Sequence, residues 1–227
     1  MTKTEIKIAV TFTESVLGSL PGNPQLMEDY IVTKMAKDKG KTPDIVKKNS
    51  AEKIAAVSDP DTADERIEKA TTVFARDEKG LFCWDYTWRG FLKESISVLI
   101  ELGEASVKKL SKWSCKRSVD SLVFVAPRRI YFRDDKDRPI MQPESICERP
   151  LRASTMQGDR IALARSELLP AGTNCQFTIT LLEGTNAKSN LAVLTKDSII
   201  EALEYGAMKG YGQWRGGSFG RFSYKEL

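Results

Sequence analysis

The chain has 227 residues, 41% of them hydrophobic and 29% charged, which suits one large domain or one domain with an elaborate insertion. Histidine is absent, which removes the usual general base, the commonest metal ligand and every Ser-His or Cys-His nucleophile pair. The net charge of +4 is unevenly placed: residues 1–105 hold 15 Lys and Arg against 18 Asp and Glu, and residues 106–227 hold 20 against 13. Arginine follows the same division, with 3 in the first part and 11 in the second. Guanidinium groups suit bidentate phosphate contacts and stacking, so the second part is the expected anion-facing half.

Cys83, Cys115, Cys147 and Cys175 form no CxxC pair, so reduced, mostly buried thiols are expected rather than a zinc site, and no cofactor is expected. No apolar run is long enough to span a bilayer, and the opening residues lack a signal-peptide pattern. These features predict a soluble, cytoplasmic protein without a membrane partner.

Residues 6–12 alternate with period two and predict a first strand. A turn-rich break at 17–24 follows, with Asn23 and Pro24 placed to open a helix. Residues 36–72 contain no aromatic residue and are rich in Lys, Asp, Glu, Ala and Thr, which reads as a charged helical insertion in a single domain spanning 1–227. Residues 72–77 and 81–84 around Gly80 read as a hairpin. Trp88 and Arg89 then open a helix with an apolar stripe at Phe91, Leu92, Ile96 and Leu99, ended by Gly103.

Lys108, Lys112 and Lys116 recur every four residues, with Trp113 and Arg117 beside them, and predict a basic helical face; a solvated lysine surface is the alternative. Residues 122–125 and 129–132 are expected strands around Pro127, followed by a tight acidic turn at 134–137. Arg149, Arg152 and Arg160 flank what reads as a polar loop over 153–158, a candidate second phosphate contact. Residues 161–166 and 175–181 read as strands joined through a turn at 169–173, and Asp197 begins a last helix with Ile199, Ile200, Leu203 and Met208 facing inward.

Directly after that helix, six glycines occupy fifteen positions, 206–220, and a short strand over 219–224 closes the pattern. Glycine loses more backbone entropy on ordering than other residues, so such density requires positive φ or close approach of another surface. Lys209, Tyr211, Trp214, Arg215 and Arg221 interleave with Gly210, Gly212, Gly216 and Gly217. Cations and aromatic rings in that arrangement grip phosphates and stack on bases. Backbone N–H groups between Gly210 and Gly217 are the expected phosphate cradle, with Lys209, Arg215 and Arg221 adding charge. Tyr211 and Trp214 serve equally well as stacking platforms or as core residues. Arg89, beside the expected helix N-terminus, is a further anion contact.

The segments 210–222, 165–177 and 85–93 together resemble the RAMP superfamily, the RNA-binding subunits of CRISPR effector backbones. The resemblance rests on a glycine-rich loop after the last helix, a Pro-x-Gly-Thr turn at 170–173 leading into an alternating strand, and the Arg89-Gly90 pair in the first helix. It implies an α+β, ferredoxin-like antiparallel sheet with helices on one face. It also implies sequence-independent binding of single-stranded RNA, assembly side by side along the strand, and CRISPR effector subunits as partners. The segments 17–24 and 149–158 resemble phage and prophage proteins, which places the chain in a bacterial host cell. Processing nucleases of the superfamily usually employ a histidine, which this chain lacks. Its target-cleaving members use an early aspartate; Asp29 and Asp38 stand in the right part of the chain without a supporting motif. The expectation is therefore a non-enzymatic protein binding single-stranded nucleic acid, RNA in preference to DNA, with no catalytic or metal-binding residues. A phage protein that copies a CRISPR backbone subunit to inhibit host defence, and a carboxylate-dependent ribonuclease, are the alternatives.

Overall fold

The computed structural model describes residues 2–22, 71–107, 112–155, 158–183 and 194–227, with the backbone alone at 105, 112–113, 151–155, 158–163 and 183. The first strands are β1 (Thr2–Phe12), β2 (Val16–Leu17), β3 (Leu20–Pro21), β4 (Thr71–Val73), β5 (Ala75–Asp77) and β6 (Gly80–Trp84). After helices α1 (Asp85–Leu102) and α2 (Lys112–Leu122) come β7 (Val123–Ala126), β8 (Arg129–Tyr131), β9 (Ser145–Thr155), β10 (Gly158–Leu169) and β11 (Asn174–Glu183). Helix α3 (Lys196–Lys209) and β12 (Phe222–Glu226) complete the order. Two compact units result: one of Met1–Val16, Phe82–Ile140 and Pro170–Leu227, the other of Leu17–Leu81 and Met141–Leu169.

In the first unit β6 pairs with β8, and the remaining major elements follow as β1-α1-β7-β11-α3-β12, with α2 inside the first crossover. Their sheet order is β12-β1-β11-β7, with every pairing antiparallel. A β-α-β-β-α-β chain whose first and third strands lie at the centre is the ferredoxin-like α+β arrangement. Alternation decides which side is core: Ile6, Ile8, Val10 and Phe12 of β1 are buried, whereas Lys3, Glu5, Lys7 and Thr11 are exposed. The register sets Ile6 against Ile179 and Ile8 against Phe177, so both central strands bury the same face.

Helix α1 contributes Trp88, Phe91, Leu92, Ile96 and Leu99 to the core and packs on α3. It ends at Gly103, whose φ of 79° lets its N–H reach Ile100 O and the next N–H reach Leu99 O. Helix α3 starts earlier than the acidic residue suggests: the side chain of Thr195 accepts from the Ser198 N–H, and the Ser198 hydroxyl accepts from the Thr195 N–H. Ile199 and Leu203 are buried as expected, but Met208 is 70% exposed, because the buried stripe runs through Ile199, Ala202, Leu203 and Gly206 and Met208 stands off it.

In the second unit β9 and β10 form a long hairpin, from Ser145↔Leu168 to Thr155↔Gly158. β10 also pairs in parallel with β4, and β4 with β3. The loop expected over 153–158 is therefore strand up to Thr155 and again from Gly158. Pro150 and the charged residues Glu148, Arg149 and Arg152 hid the strand from any alternation test. Among the described residues β9 pairs only with β10, and an edge strand tolerates a proline that cannot donate. Buried Glu167 holds this unit together by accepting the Phe74 N–H at 2.8 Å and the Arg76 guanidinium. The predicted charged insertion lies outside the described residues except for Thr71 and Thr72 in β4, as do the helix expected from Pro24, Asp29 and Asp38.

Candidate nucleic-acid interface

The glycine-rich segment leaves α3 and closes on itself. Tyr211 N–H donates to Gly220 O at 2.8 Å, and Gly220 N–H to Ser15 O at 2.8 Å, which ties a loop of ten residues by its neck. Both neck glycines are required sterically. A Cβ at Gly220 would lie 1.9 Å from Tyr211 O, and one at Gly210 2.4 Å from Phe219 O, with φ of +71° and +93° besides. Gly206 serves a different contact: its Cβ position is 1.9 Å from Cζ of Phe91, so it sets the close approach of α3 to α1.

Tyr211 belongs to this closure. Its ring stacks on Trp88 at 4.2 Å and 14°, and it is 7% exposed. Thr87 Oγ1 donates its single proton to Trp84 O at 2.5 Å, so the Tyr211 hydroxyl is the donor in the 2.5 Å contact with Thr87. Burial, with the neighbouring Cys83 adding to it, raises the Tyr211 phenol well above its ordinary value. Tyr211 is thus a core residue and presents no ring to a base. Three N–H groups of the expected cradle are used within the chain. Gly210 donates to Gly206 O at 2.7 Å, Tyr211 to Gly220 O, and Gly217 to Trp214 O at 2.9 Å.

What the loop presents is side chains. Trp214 is 42% exposed, with φ 52° and ψ 40°, and Ser218 has φ 69°, so non-glycine residues in left-handed conformation bracket the 3₁₀ turn Arg215–Gly217. Each costs on the order of 1–3 kcal/mol, and strain of this kind gathers at ligand clamps. The Trp214 ring stacks on Phe219 at 5.0 Å and 19°, and a Cβ at Gly217 would lie 2.9 Å from it, so both residues brace the indole. Lys209 and Arg221 are exposed on either side of the neck, where the Cβ position of Gly210 is 3.4 Å from Arg221 N. Gly212 takes φ 84°, whereas Gly216 is exposed with nothing within 4 Å of its Cβ position.

The loop is tethered to α1 by an ion pair, Arg215 Nη1 to Glu94 Oε2 at 2.8 Å, with the side chains 27% and 45% exposed. One turn earlier on the same helix lies Gly90, exposed and likewise with nothing within 4 Å of its Cβ position. Arg89 beside it is half-buried and sits in the second turn, because α1 begins at Asp85 rather than at Trp88. Its expected place at a helix N-terminus is therefore not observed. Trp88 is fully buried.

The remaining predicted contacts fall elsewhere. Arg149 belongs to the second unit, is 7% exposed and donates to Ser166 Oγ at 3.0 Å, so a surface phosphate does not reach it. Arg152 and Arg160 stand in β9 and β10 opposite Ile161 and Ala153. Lys116 is exposed on α2; Lys112 is described by backbone alone, and Lys108 lies outside the described residues. The acidic turn is a hairpin device: Asp134 accepts the Arg138 and Lys136 N–H groups at 2.8 and 2.9 Å, and the Arg138 bonds hold its carboxyl below the ordinary value. Sequence reasoning missed Arg128 and Arg129. Their guanidinium carbons lie 5.5 and 5.8 Å from the centroid of Trp84, and Arg129 lies 5.3 Å from that of Phe82. Only the tertiary pairing of β6 with β8 brings them there.

No family model matches the chain, and no curated protein does. Among solved structures it is similar to a chain of a "Type IV-B CRISPR Complex", at 12% identity and a TM-score of 0.46, over 99% of this chain and 90% of that one. No helix among the described residues is long and apolar enough to cross a membrane.

Proposed function

We propose that the first unit binds single-stranded nucleic acid without cutting it, and without reading its sequence, across the C-terminal loop and the adjoining turn of α1. The observation that carries this reading is Trp214: an exposed indole, braced from behind and held in strained backbone between Arg215, Lys209 and Arg221. An exposed ring offers a stacking surface that any base fits, and the flanking cations meet the phosphates on either side. Bare Gly90 and Gly216 leave room for a polynucleotide backbone next to the loop.

Filter binding of a labelled uridine oligomer between about 50 and 200 mM salt tests it. Trp214→Ala should weaken binding by about 1–3 kcal/mol, the worth of one stacked base. Arg215→Ala with Arg221→Ala should flatten the salt dependence by roughly 1.4 in the log–log slope, at about 0.7 per phosphate contact on a single strand. Unchanged affinity and slope in the double variant, or no retention of the oligomer by the native protein, would refute the reading. The oligomer should also remain intact on incubation with magnesium.

A further inference from the structure

We propose that Glu94 selects RNA over DNA at this surface by accepting a hydrogen bond from a ribose 2′-hydroxyl; the inference rests on single-stranded nucleic acid being the ligand. Glu94 is a carboxylate tied directly into a cationic site, through Oε2 to Arg215 Nη1 at 2.8 Å. Its side chain is 45% exposed, and among the described residues no hydrogen bond is made to Oε1. A carboxylate beside a phosphate track is repelled by the ligand unless it meets a donor there. The sugar–phosphate backbone of DNA carries no donor along its length, whereas RNA carries one on every ribose. Arg215 and Glu94 thus form a matched pair. The guanidinium has N–H groups beyond the one given to Glu94, to donate to a phosphate, and the free carboxylate oxygen accepts from the hydroxyl on the neighbouring ribose. Gly90, one turn before on the same helix, has nothing within 4 Å of its Cβ position.

The test compares labelled oligomers of uridine, deoxyuridine and 2′-O-methyluridine of equal length, so that the base is constant and only the 2′ group differs. Fluorescence anisotropy of the native protein should show uridine bound about tenfold more tightly than deoxyuridine, the worth of one hydrogen bond to a charged acceptor. The 2′-O-methyl oligomer, which keeps the ribose but lacks the donor, should behave like deoxyuridine. Glu94→Ala should bring all three to similar affinity, chiefly by weakening uridine; Glu94→Gln, which keeps an acceptor oxygen, should retain part of the preference. If Glu94→Ala tightens all oligomers alike, the residue is an electrostatic brake; if it weakens all alike, it only positions Arg215. Either outcome overturns the proposal, as does a native protein that binds uridine and 2′-O-methyluridine equally. A native protein that binds none of the three overturns the single-strand reading as well.

Discussion

One chemical change, glycine to alanine, should act with opposite sign on the two facing helices of the first unit. In α1, Gly90 is exposed and nothing lies within 4 Å of its Cβ position. Alanine there gains the intrinsic helix preference, roughly 0.5–1 kcal/mol, with no steric cost. In α3, Gly206 gains the same term, but the new methyl carbon would stand 1.9 Å from Cζ and 2.7 Å from Cε2 of Phe91. Relaxed carbon contacts need about 3.5–4.0 Å, so ring or helix must move by more than an ångström. Phe91 cannot swing aside freely, because its ring already meets Trp88 at 5.3 Å, Phe222 at 5.7 Å and Tyr211 at 6.1 Å. A contact this short belongs in the upper part of the overpacking range, about 2–3 kcal/mol, which less the helix term leaves Gly206→Ala net destabilising by about 1–2.5 kcal/mol. Urea unfolding monitored by tryptophan fluorescence reads both as midpoint shifts at constant slope. Adding Phe91→Leu should recover part of the loss in the Gly206→Ala chain. A Gly206→Ala protein as stable as the native one would refute the packing argument, and a destabilised Gly90→Ala protein would refute the claim that Gly90 faces open space. In the same preparations Gly90→Ala should bind the uridine oligomer more weakly despite its greater stability.

Alkaline pH and the second unit supply two more tests. Burial pushes the Cys83 thiol up to about 11 from its ordinary 9.0. Between those values the unfolded chain has lost this proton and the folded chain keeps it, so stability is present below pH 9 and falls as pH rises to 11. One such group removes about 3 kcal/mol over that window, and Cys83→Ala should lose that share of the slope in urea midpoints measured at stepped pH. Tyr211 and Cys175, also raised by burial, add to the decline in the native protein. In the second unit, Glu167→Ala removes the acceptor of the Phe74 N–H and the partner of Arg76, and should cost about 3 kcal/mol. Thermal unfolding with no shift in midpoint would show that this buried pair does not hold the unit.

The sheet of the first unit was legible because each of its long strands buries one face. Residues 6–12 and 175–181 alternate without a break, and they became the central pair, with Ile8 set against Phe177. Helix α1 was legible through its stripe and its terminal Gly103. Its start was misplaced because Asp85, Tyr86 and Thr87 carry no periodic signal of their own. β9 was illegible for a different reason: it is paid for by backbone pairing along one edge, so nothing in the side-chain pattern from Glu148 to Arg152 needed to alternate. The Glu94–Arg215 pair was beyond reach as well, since 121 residues separate partners that only the packing of α3 on α1 brings together.

Most glycines of the dense C-terminal segment serve the fold. Gly206 admits Phe91, Gly210 and Gly220 close the neck, Gly212 takes a left-handed turn, and Gly217 lies under the Trp214 ring. Gly216 alone in this loop is exposed, has no neighbour within 4 Å of its Cβ position and has no left-handed φ. Under the proposed function its bareness serves the bound strand rather than the fold, which separates two kinds of substitution. Gly220→Ala places a carbon 1.9 Å from Tyr211 O at φ +71° and should unfold or severely destabilise the unit, by more than about 3 kcal/mol. Gly216→Val should leave the urea midpoint within about 0.5 kcal/mol of native, as other open surface sites do. Its effect should appear only on the uridine oligomer, as a loss of affinity at every salt concentration with the salt slope retained, because bulk keeps the strand away without removing a cation. A Gly216→Val protein that binds as tightly as the native one would mean that the strand does not pass over this turn.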